Sequence, residues 1–297
     1  MLGLTRLPLL QDLQLILNRT KWSFERSDGY KCIKLDLLSG LKKISLSGSF
    51  LTPDMVDSLA GLISKSPQLV HLEVNLGHYD ASPEMTSTLH NVLSKVSEDH
   101  PLQLTHLALN KTGICIDSFT LPHLRSLISL DLRNLPSSSN FYAKLASGRL
   151  EWANSTSTSD TFAILEKEGI HLKHVVVSDV GVFDYLCSYS GLESLDLCGI
   201  SFDSYEEYNT SARTFYKSVL PQLVHSLQIL KIQPEQEGQW CFDPENVFQS
   251  VALFQCSKLR LLSVSLNSSS FVQPINFLSR NCGPHLYKDN LDDEVCL

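Results

Sequence analysis

A short apolar pattern, L-x-x-L-x-L, recurs along most of this chain of 297 residues. Its clearest copy occupies residues 67–74, where Leu69, Leu72 and Val74 hold the three apolar positions. Nine copies are present, and they begin at Leu10, Leu41, Leu69, Leu104, Leu127, Leu172, Leu192, Leu227 and Leu259. One or two matches would arise by chance in a Leu-rich sequence, but nine at intervals of about 20 to 45 residues indicate a repeated structural unit.

The alternation inside each copy predicts a short β-strand. Side chains of a strand point alternately to its two faces, so the Leu, Ile and Val residues face inward and the residues between them face solvent. One strand cannot bury its apolar row alone, but units that stack side by side shelter it in a parallel sheet. The pattern is typical of leucine-rich repeats and predicts an α/β solenoid, a single array of about nine units over residues 1–297.

The segments between the predicted strands carry helix signals. Thr52-Pro53-Asp54 has the pattern of an N-cap followed by Pro in the first turn, and Ser82-Pro83-Glu84 repeats it. Further candidate helices occupy residues 159–168, 204–224, 244–254 and 274–279. Because helices need wider spacing than strands, we expect a curved solenoid with the sheet concave and a mostly helical outer face.

Three polar stretches interrupt the pattern, which is clearest over residues 10–264. Residues 136–160 are rich in Ser and Thr and predict an irregular insertion, residues 233–243 predict a polar loop, and residues 21–31 predict a polar insertion. Solenoids need polar capping units, and neither end of this sequence has an obvious one. We therefore expect the chain to be part of a longer protein.

Composition narrows the class of partner and the compartment. A formal net charge of -8 disfavours binding to nucleic acid or to an anionic membrane, which requires clustered Lys and Arg. The 8 cysteines are scattered and form no C-x-x-C pair, so we expect reduced thiols in a cytoplasmic or nuclear protein. The N-terminus lacks the basic region of a signal peptide, and no apolar run has the length of a transmembrane span.

Cysteines within the repeats point to a known family. Residues 256–265 follow the pattern C-x-x-L-x-x-L-x-L, and residues 189–198 are a variant that ends in Cys198. These units resemble the leucine-rich domains of F-box proteins and, more broadly, ribonuclease-inhibitor-like arrays. The resemblance implies that the chain captures substrates for a ubiquitin ligase whose catalysis lies elsewhere. The F-box, which would bind the ligase adaptor, is not present in this chain and would have to lie upstream.

The solvent-facing strand positions are the candidate functional site. A sheet presents them in rows, and the partner-binding candidates on the concave face are Lys43, His71, Glu73, His106, Asp131, Arg133, His174, Asp196 and Lys231. Three interpretations remain open: ordinary solvated side chains, a protein-binding patch, or a metal or acid/base site. Adjacent histidines and carboxylates suit zinc, but these candidates come from separate strands with no enclosing pocket.

No catalytic motif accompanies this surface. The sequence contains no G-x-S-x-G elbow, no Gly-rich phosphate loop and no H-E-x-x-H helix. We therefore predict a monomeric, non-enzymatic interaction scaffold without cofactor or metal, which binds a protein partner. One alternative is an extracellular receptor-like array, in which disulfides or glycans would be expected. Another is a GTPase-activating array, for which Arg133 is the central arginine that could act as a finger.

Overall fold

The computed structural model describes residues 10–17, 34–48, 53–76, 88–93, 95–97, 99–110, 114, 116–133, 158–200, 202, 204–244, 246–267 and 294–296. The chain divides into two compact units, Met1–Ile170 (unit 1) and His171–Leu297 (unit 2). Both units combine parallel β-strands with helices, which confirms the predicted α/β class. Within the described residues, no helix is long and apolar enough to cross a lipid bilayer.

The described residues of unit 1 form five parallel strands. They are β1 (Asp12–Leu17), β2 (Lys43–Gly48), β3 (His71–Leu76), β4 (His106–Asn110) and β5 (Ser129–Leu132). The helical segments are a 3-10 turn (Leu35–Leu37), α1 (Pro53–Ser64), α2 (Thr88–Leu93), α3 (Leu121–Leu124) and α4 (Thr158–Lys167). Each strand follows its neighbour in chain order, so the connection from one strand to the next parallel strand leaves the sheet and returns to it.

Apolar residues at fixed repeat positions build the core of unit 1. Inward-facing Ile44, Leu72, Leu107 and Leu130 are all essentially inaccessible to solvent and lie opposite one another on adjacent strands. Helix α1 adds three buried residues at helical spacing, namely Leu59, Leu62 and Ile63. The predicted apolar triplets thus share one buried layer. The stacked strands bury apolar residues that a single strand could not bury alone.

Buried polar side chains in unit 1 accept hydrogen bonds from the turns between elements. Ser58 on α1 accepts from the backbone amide of Leu35 at 2.7 Å, and buried His123 accepts at Nδ1 from the amide of Leu102 at 3.0 Å. Both interactions satisfy backbone donors that burial would otherwise leave unpaired. The apolar core therefore tolerates these two polar residues.

Within the part of unit 2 that the structure describes, four strands are parallel and one is antiparallel. The parallel strands are β6 (His174–Val177), β7 (Ser194–Ile200), β8 (Ile229–Pro234) and β9 (Leu261–Ser265), and β10 (Glu294–Cys296) runs antiparallel to β9. The helical segments are a 3-10 turn (Val180–Val182), α5 (Phe183–Ser188), α6 (Tyr205–Thr214), a π-helical segment (Phe215–Val219), α7 (Leu220–Leu223) and α8 (Val247–Phe254).

A β-bulge lies at the end of β7. The register between β7 and β8 shifts between Cys198 and Ile200, and the intervening Gly199 has a φ of 63°. That left-handed conformation is accessible to glycine at little cost and is unfavourable for a residue with a Cβ atom. The bulge lets Ile200 reach its buried position, where it is 1% exposed.

Most sequence predictions of secondary structure agree with these elements. All nine predicted strands are present, and the helices predicted at residues 53, 159, 204 and 244 correspond to α1, α4, the α6–α7 run and α8, within three residues at each start. Helices α3 and α5 and strand β10 were not predicted. The predicted helix over 274–279, the insertion over 21–31 and residues 136–157 of the longer insertion lie outside the described residues.

The stretch predicted as a polar loop, residues 233–243, is more buried than its composition indicates. Gln233 and Pro234 belong to β8, and Trp240 is 0% exposed. Trp240 packs against Phe215 at 5.4 Å and Phe183 at 6.1 Å between ring centroids. The loop is therefore anchored by a buried aromatic residue.

Candidate functional site

The outward positions of the unit 1 sheet form rows across adjacent strands. Lys43, His71, His106 and Ser129 pair in register across β2, β3, β4 and β5. The second row, two residues further along each strand, holds Ser45, Glu73, Ala108 and Asp131 in the same register. These are the rows predicted from the repeat pattern. The structure thus brings together the six unit 1 candidates, including Arg133 just after β5.

Two histidines lie at the centre of this surface. The rings of His71 and His106 stack with centroids 5.5 Å apart and an angle of 29° between their planes. His106 Nδ1 lies 2.8 Å from the hydroxyl of Thr105, whereas His71 Nε2 is buried and has no hydrogen-bond partner among the described residues.

The surroundings of His71 favour its neutral form. Burial lowers the pKa of His71 below its ordinary value, and the positive charges of Lys43 and His106 lower it further. Glu73 and Asp12 oppose this shift but contribute less. His71 is therefore an uncharged imidazole at neutral pH, and one of its two ring nitrogens is a hydrogen-bond acceptor.

The carboxylates of the unit 1 surface are held by neighbouring side chains. Ser45 donates a hydrogen bond to Glu73 Oε2 at 2.7 Å. Arg133 binds Asp131 through two nitrogens, with Nε 3.0 Å from Oδ1 and Nη2 2.6 Å from Oδ2. A paired, two-point interaction of this kind fixes the orientation of both groups. The surface is consequently a preorganised set of hydrogen-bonding groups.

The outward rows of unit 2 are more apolar. His174, Ser194, Ile229 and Leu261 pair in register, as do Val176, Asp196, Lys231 and Ser263. Lys231 Nζ lies 3.9 Å from Asp196 Oδ2, so the two charged candidates on β7 and β8 face each other. The three remaining candidates, His174, Asp196 and Lys231, thus belong to unit 2, on a surface whose apolar end was also predicted.

The described histidines, cysteines and carboxylates form no metal site. No group of three or more such side chains within the described part of the chain is arranged to hold an ion. Four cysteines with described side chains, Cys187, Cys198, Cys241 and Cys256, are free thiols. Burial raises the pKa of Cys256 to about 11, so this thiol stays protonated at neutral pH and is a poor nucleophile.

A second surface in unit 2 was not identified from the sequence. A cleft of about 340 Å³ lies beside α8, and its lining includes Arg213, Tyr216, Lys217, Phe248 and Gln249. The available signal was the composition of α8, whose apolar residues occupy more than one helix face. The repeat pattern assigned this helix to the outer layer but did not predict which of its sides faces solvent.

No family profile matches this sequence, and no significant match occurs among curated proteins. Functional inference therefore depends on the residues and geometry described above.

Proposed function

We propose that this chain is a leucine-rich-repeat interaction module that binds a protein partner through the outward residues of its strands. Parallel strands that each follow a buried leucine support a repeat origin, because Leu41, Leu69, Leu104 and Leu127 precede β2 to β5 with little or no exposure. A single curved array over residues 1–297, with these residues on the concave face, is part of the proposal. Repeat arrays use such extended surfaces for binding.

The observation that carries this proposal is the unpartnered nitrogen of His71. A buried polar atom without a hydrogen bond destabilises a protein by about 1 to 3 kcal/mol, so such atoms are rare unless they serve a purpose. His71 Nε2 is such an atom among the described residues, and it belongs to an outward-facing side chain. A partner that forms a hydrogen bond with Nε2 of His71, once the imidazole has turned this atom outward, would remove this cost on binding.

The neighbouring groups would give the interaction its specificity. Glu73 and Asp131 are already oriented by Ser45 and Arg133, so a partner would meet them without a loss of side-chain freedom. Lys43 adds a positive charge at one side of the histidine pair. Fixed polar groups of both signs favour a complementary protein surface and discriminate against partners with mismatched charges.

A narrower proposal is that the chain forms the substrate-recognition part of an F-box ubiquitin-ligase subunit. Cys198 and Cys256, on which the family resemblance depends, both occupy structural positions: Cys198 Sγ donates to the carbonyl of Val177 at 3.7 Å, and Cys256 Sγ donates to that of Ala252 at 3.6 Å. Copurification with a ligase adaptor, when an upstream helical module is included, would test this proposal. We do not propose the GTPase-activating alternative, because Arg133 is engaged by Asp131.

Site-specific photocrosslinking tests the proposed binding surface. A photoreactive phenylalanine analogue would replace Ser129 on the outward row, and a matched variant would carry it at exposed Glu166 on α4. We expect the Ser129 variant to form a covalent adduct with one cellular protein, identified by mass spectrometry, which the Glu166 variant does not capture. Equal capture by both variants would contradict the proposed surface.

Affinity measurements with the captured partner test the role of His71. His71→Phe retains an aromatic ring for stacking on His106 but removes both ring nitrogens. We expect about fivefold weaker binding, which corresponds to the loss of one hydrogen bond of about 1 kcal/mol. An unchanged dissociation constant in titration calorimetry would show that His71 Nε2 does not contact the partner.

A further inference from the structure

The orientation of helix α8 in unit 2 is unusual because its apolar side faces outward. Val247, Phe248, Val251 and Phe254 are 68%, 61%, 51% and 61% exposed, and they lie within one arc of the helix. On the other side, Gln249 is only 1% exposed. A helix that buries a polar residue and exposes large apolar ones has the reverse of the usual pattern.

Hydrogen bonds of Gln249 hold α8 in this orientation. Its side-chain amide donates to the carbonyls of Gln239 at 2.7 Å and Cys241 at 3.1 Å, and its oxygen accepts from the amide of Asp243 at 2.8 Å. A rotation of α8 that buried Phe248 would break all three bonds. The exposed apolar side is therefore a fixed feature of the helix.

The cleft beside this apolar surface carries positive charge. Arg213 Nε donates to Gln239 Oε1 at 2.8 Å, and Lys217 Nζ lies 4.3 Å from the centre of the Phe248 ring. Neither cation has a carboxylate partner in the described part of the chain, although the chain as a whole has a net charge of -8. Positive groups left without counter-charges in an acidic protein favour an anionic ligand group.

A tyrosine whose hydroxyl is buried also lines the cleft. Tyr216 is 3% exposed, and its hydroxyl has no hydrogen-bond partner within the described residues. A tyrosine hydroxyl can donate one hydrogen bond, and a carboxylate is acceptor-only. Arg213 and Lys217 thus supply positive charge for one carboxylate next to the apolar surface of Phe248, and Tyr216 adds an unpaired hydroxyl among the residues of the same cleft.

We propose that α8 and the adjoining cleft bind an acidic, amphipathic segment of a protein partner. Large apolar side chains of the segment would cover Phe248 and Val251, and a carboxylate beside them would enter the cleft toward Arg213 and Lys217. The recess accepts a side chain, which a flat membrane surface would not supply. Two cations are also too few for the extended phosphate contacts of nucleic-acid binding. This surface is separate from the strand residues of the proposed function, so either proposal can fail without the other.

Fluorescence anisotropy with a designed peptide tests the proposal. The probe is a labelled helix-forming peptide with Leu and Phe along one face and Glu beside them, and its control carries Lys in place of every Glu. We expect the complete chain to bind the Glu peptide and to bind the Lys peptide at least tenfold more weakly. Equal binding of the two peptides, or no binding of the Glu peptide, would overturn the proposal.

Substitutions in the protein locate the binding surface. Phe248→Ala and the double variant Arg213→Glu/Lys217→Glu should each weaken binding of the Glu peptide about tenfold or more, because anchor residues dominate such interfaces. Controls are Leu37→Ala, at an exposed apolar residue of unit 1, and Arg125→Glu/Lys167→Glu, at exposed basic residues of unit 1; both should leave binding unchanged. Circular dichroism confirms that each variant is folded. Equal losses in the variants and their controls would overturn the proposed location.

Two further measurements distinguish other occupants of this surface. Sedimentation equilibrium would reveal a dimer that Phe248→Ala dissolves, and vesicles of phosphatidylserine and phosphatidylcholine would reveal Phe248-dependent membrane binding. Either result would replace the proposed peptide segment with a second copy of the chain or with a lipid surface. We expect neither.

Discussion

Replacement of Gln249 by Met would test whether the buried amide holds α8 in place. Met has a similar length and volume but cannot make the three hydrogen bonds to Gln239, Cys241 and Asp243. Each such bond contributes about 1 kcal/mol net, so their loss amounts to about 3 kcal/mol. Better burial of the apolar Met side chain offsets about 1 kcal/mol of this loss. The net expectation is a decrease of about 2 kcal/mol in the free energy of unfolding.

Urea denaturation, followed by circular dichroism and by tryptophan fluorescence, measures this change. With a denaturant dependence of about 2 kcal/mol per molar urea, the midpoint should fall by about 1 M. Gln255→Met is the matched control, because Gln255 is exposed just after the same helix and its side chain should contribute little. If both variants unfold at the urea concentration of the wild type, the bonds of Gln249 do not stabilise the helix and the argument from its orientation is refuted.

Three further predictions concern individual residues. The pKa of His71 is lowered in the folded chain, so the unfolded chain binds a proton at this residue more readily. The free energy of unfolding should therefore fall as the pH drops below about 6.5. His71→Gln should flatten this pH dependence in urea titrations from pH 7.5 to 5. Gly199→Ala should destabilise the folded chain by about 1 kcal/mol and lower its thermal midpoint, because alanine disfavours the left-handed conformation of this residue. An unchanged midpoint would contradict the assigned bulge. Alkylation mapped by mass spectrometry should label exposed Cys187 well before buried Cys256, and equal rates would show that Cys256 is accessible.

The strands and their register were predictable because a period of two is a strong local signal. Leu72, Leu107 and Leu130 lie opposite one another on β3, β4 and β5, as required by the repeat pattern. The outward rows follow from the same alternation, so the side-by-side position of His71 and His106 was predictable as well. Their ring stacking and the buried Nε2 atom were not, because these depend on side-chain conformation and on neighbours from other strands.

The features that could not be predicted from the sequence are those that depend on tertiary contacts. Helix α5 follows a 3-10 turn that Asp179 initiates by accepting from the amide of Gly181 at 2.7 Å, a local signal hidden in a short β-branched stretch. The exposure of Phe248 could not be read from α8 itself, since apolar residues on a repeat helix ordinarily face the core. It depends on hydrogen bonds from Gln249 to a loop that the repeat pattern does not describe.

Strand β10 covers part of the sheet edge at β9. Its residues Glu294–Cys296 run antiparallel to Ser263–Ser265 and occupy hydrogen-bonding groups that a further parallel strand would need. An uncovered strand edge can recruit strands of other molecules and nucleate aggregation. The reversed strand blocks that route along three residues of β9, and shortening the chain before residue 294 should therefore increase light scattering on prolonged incubation.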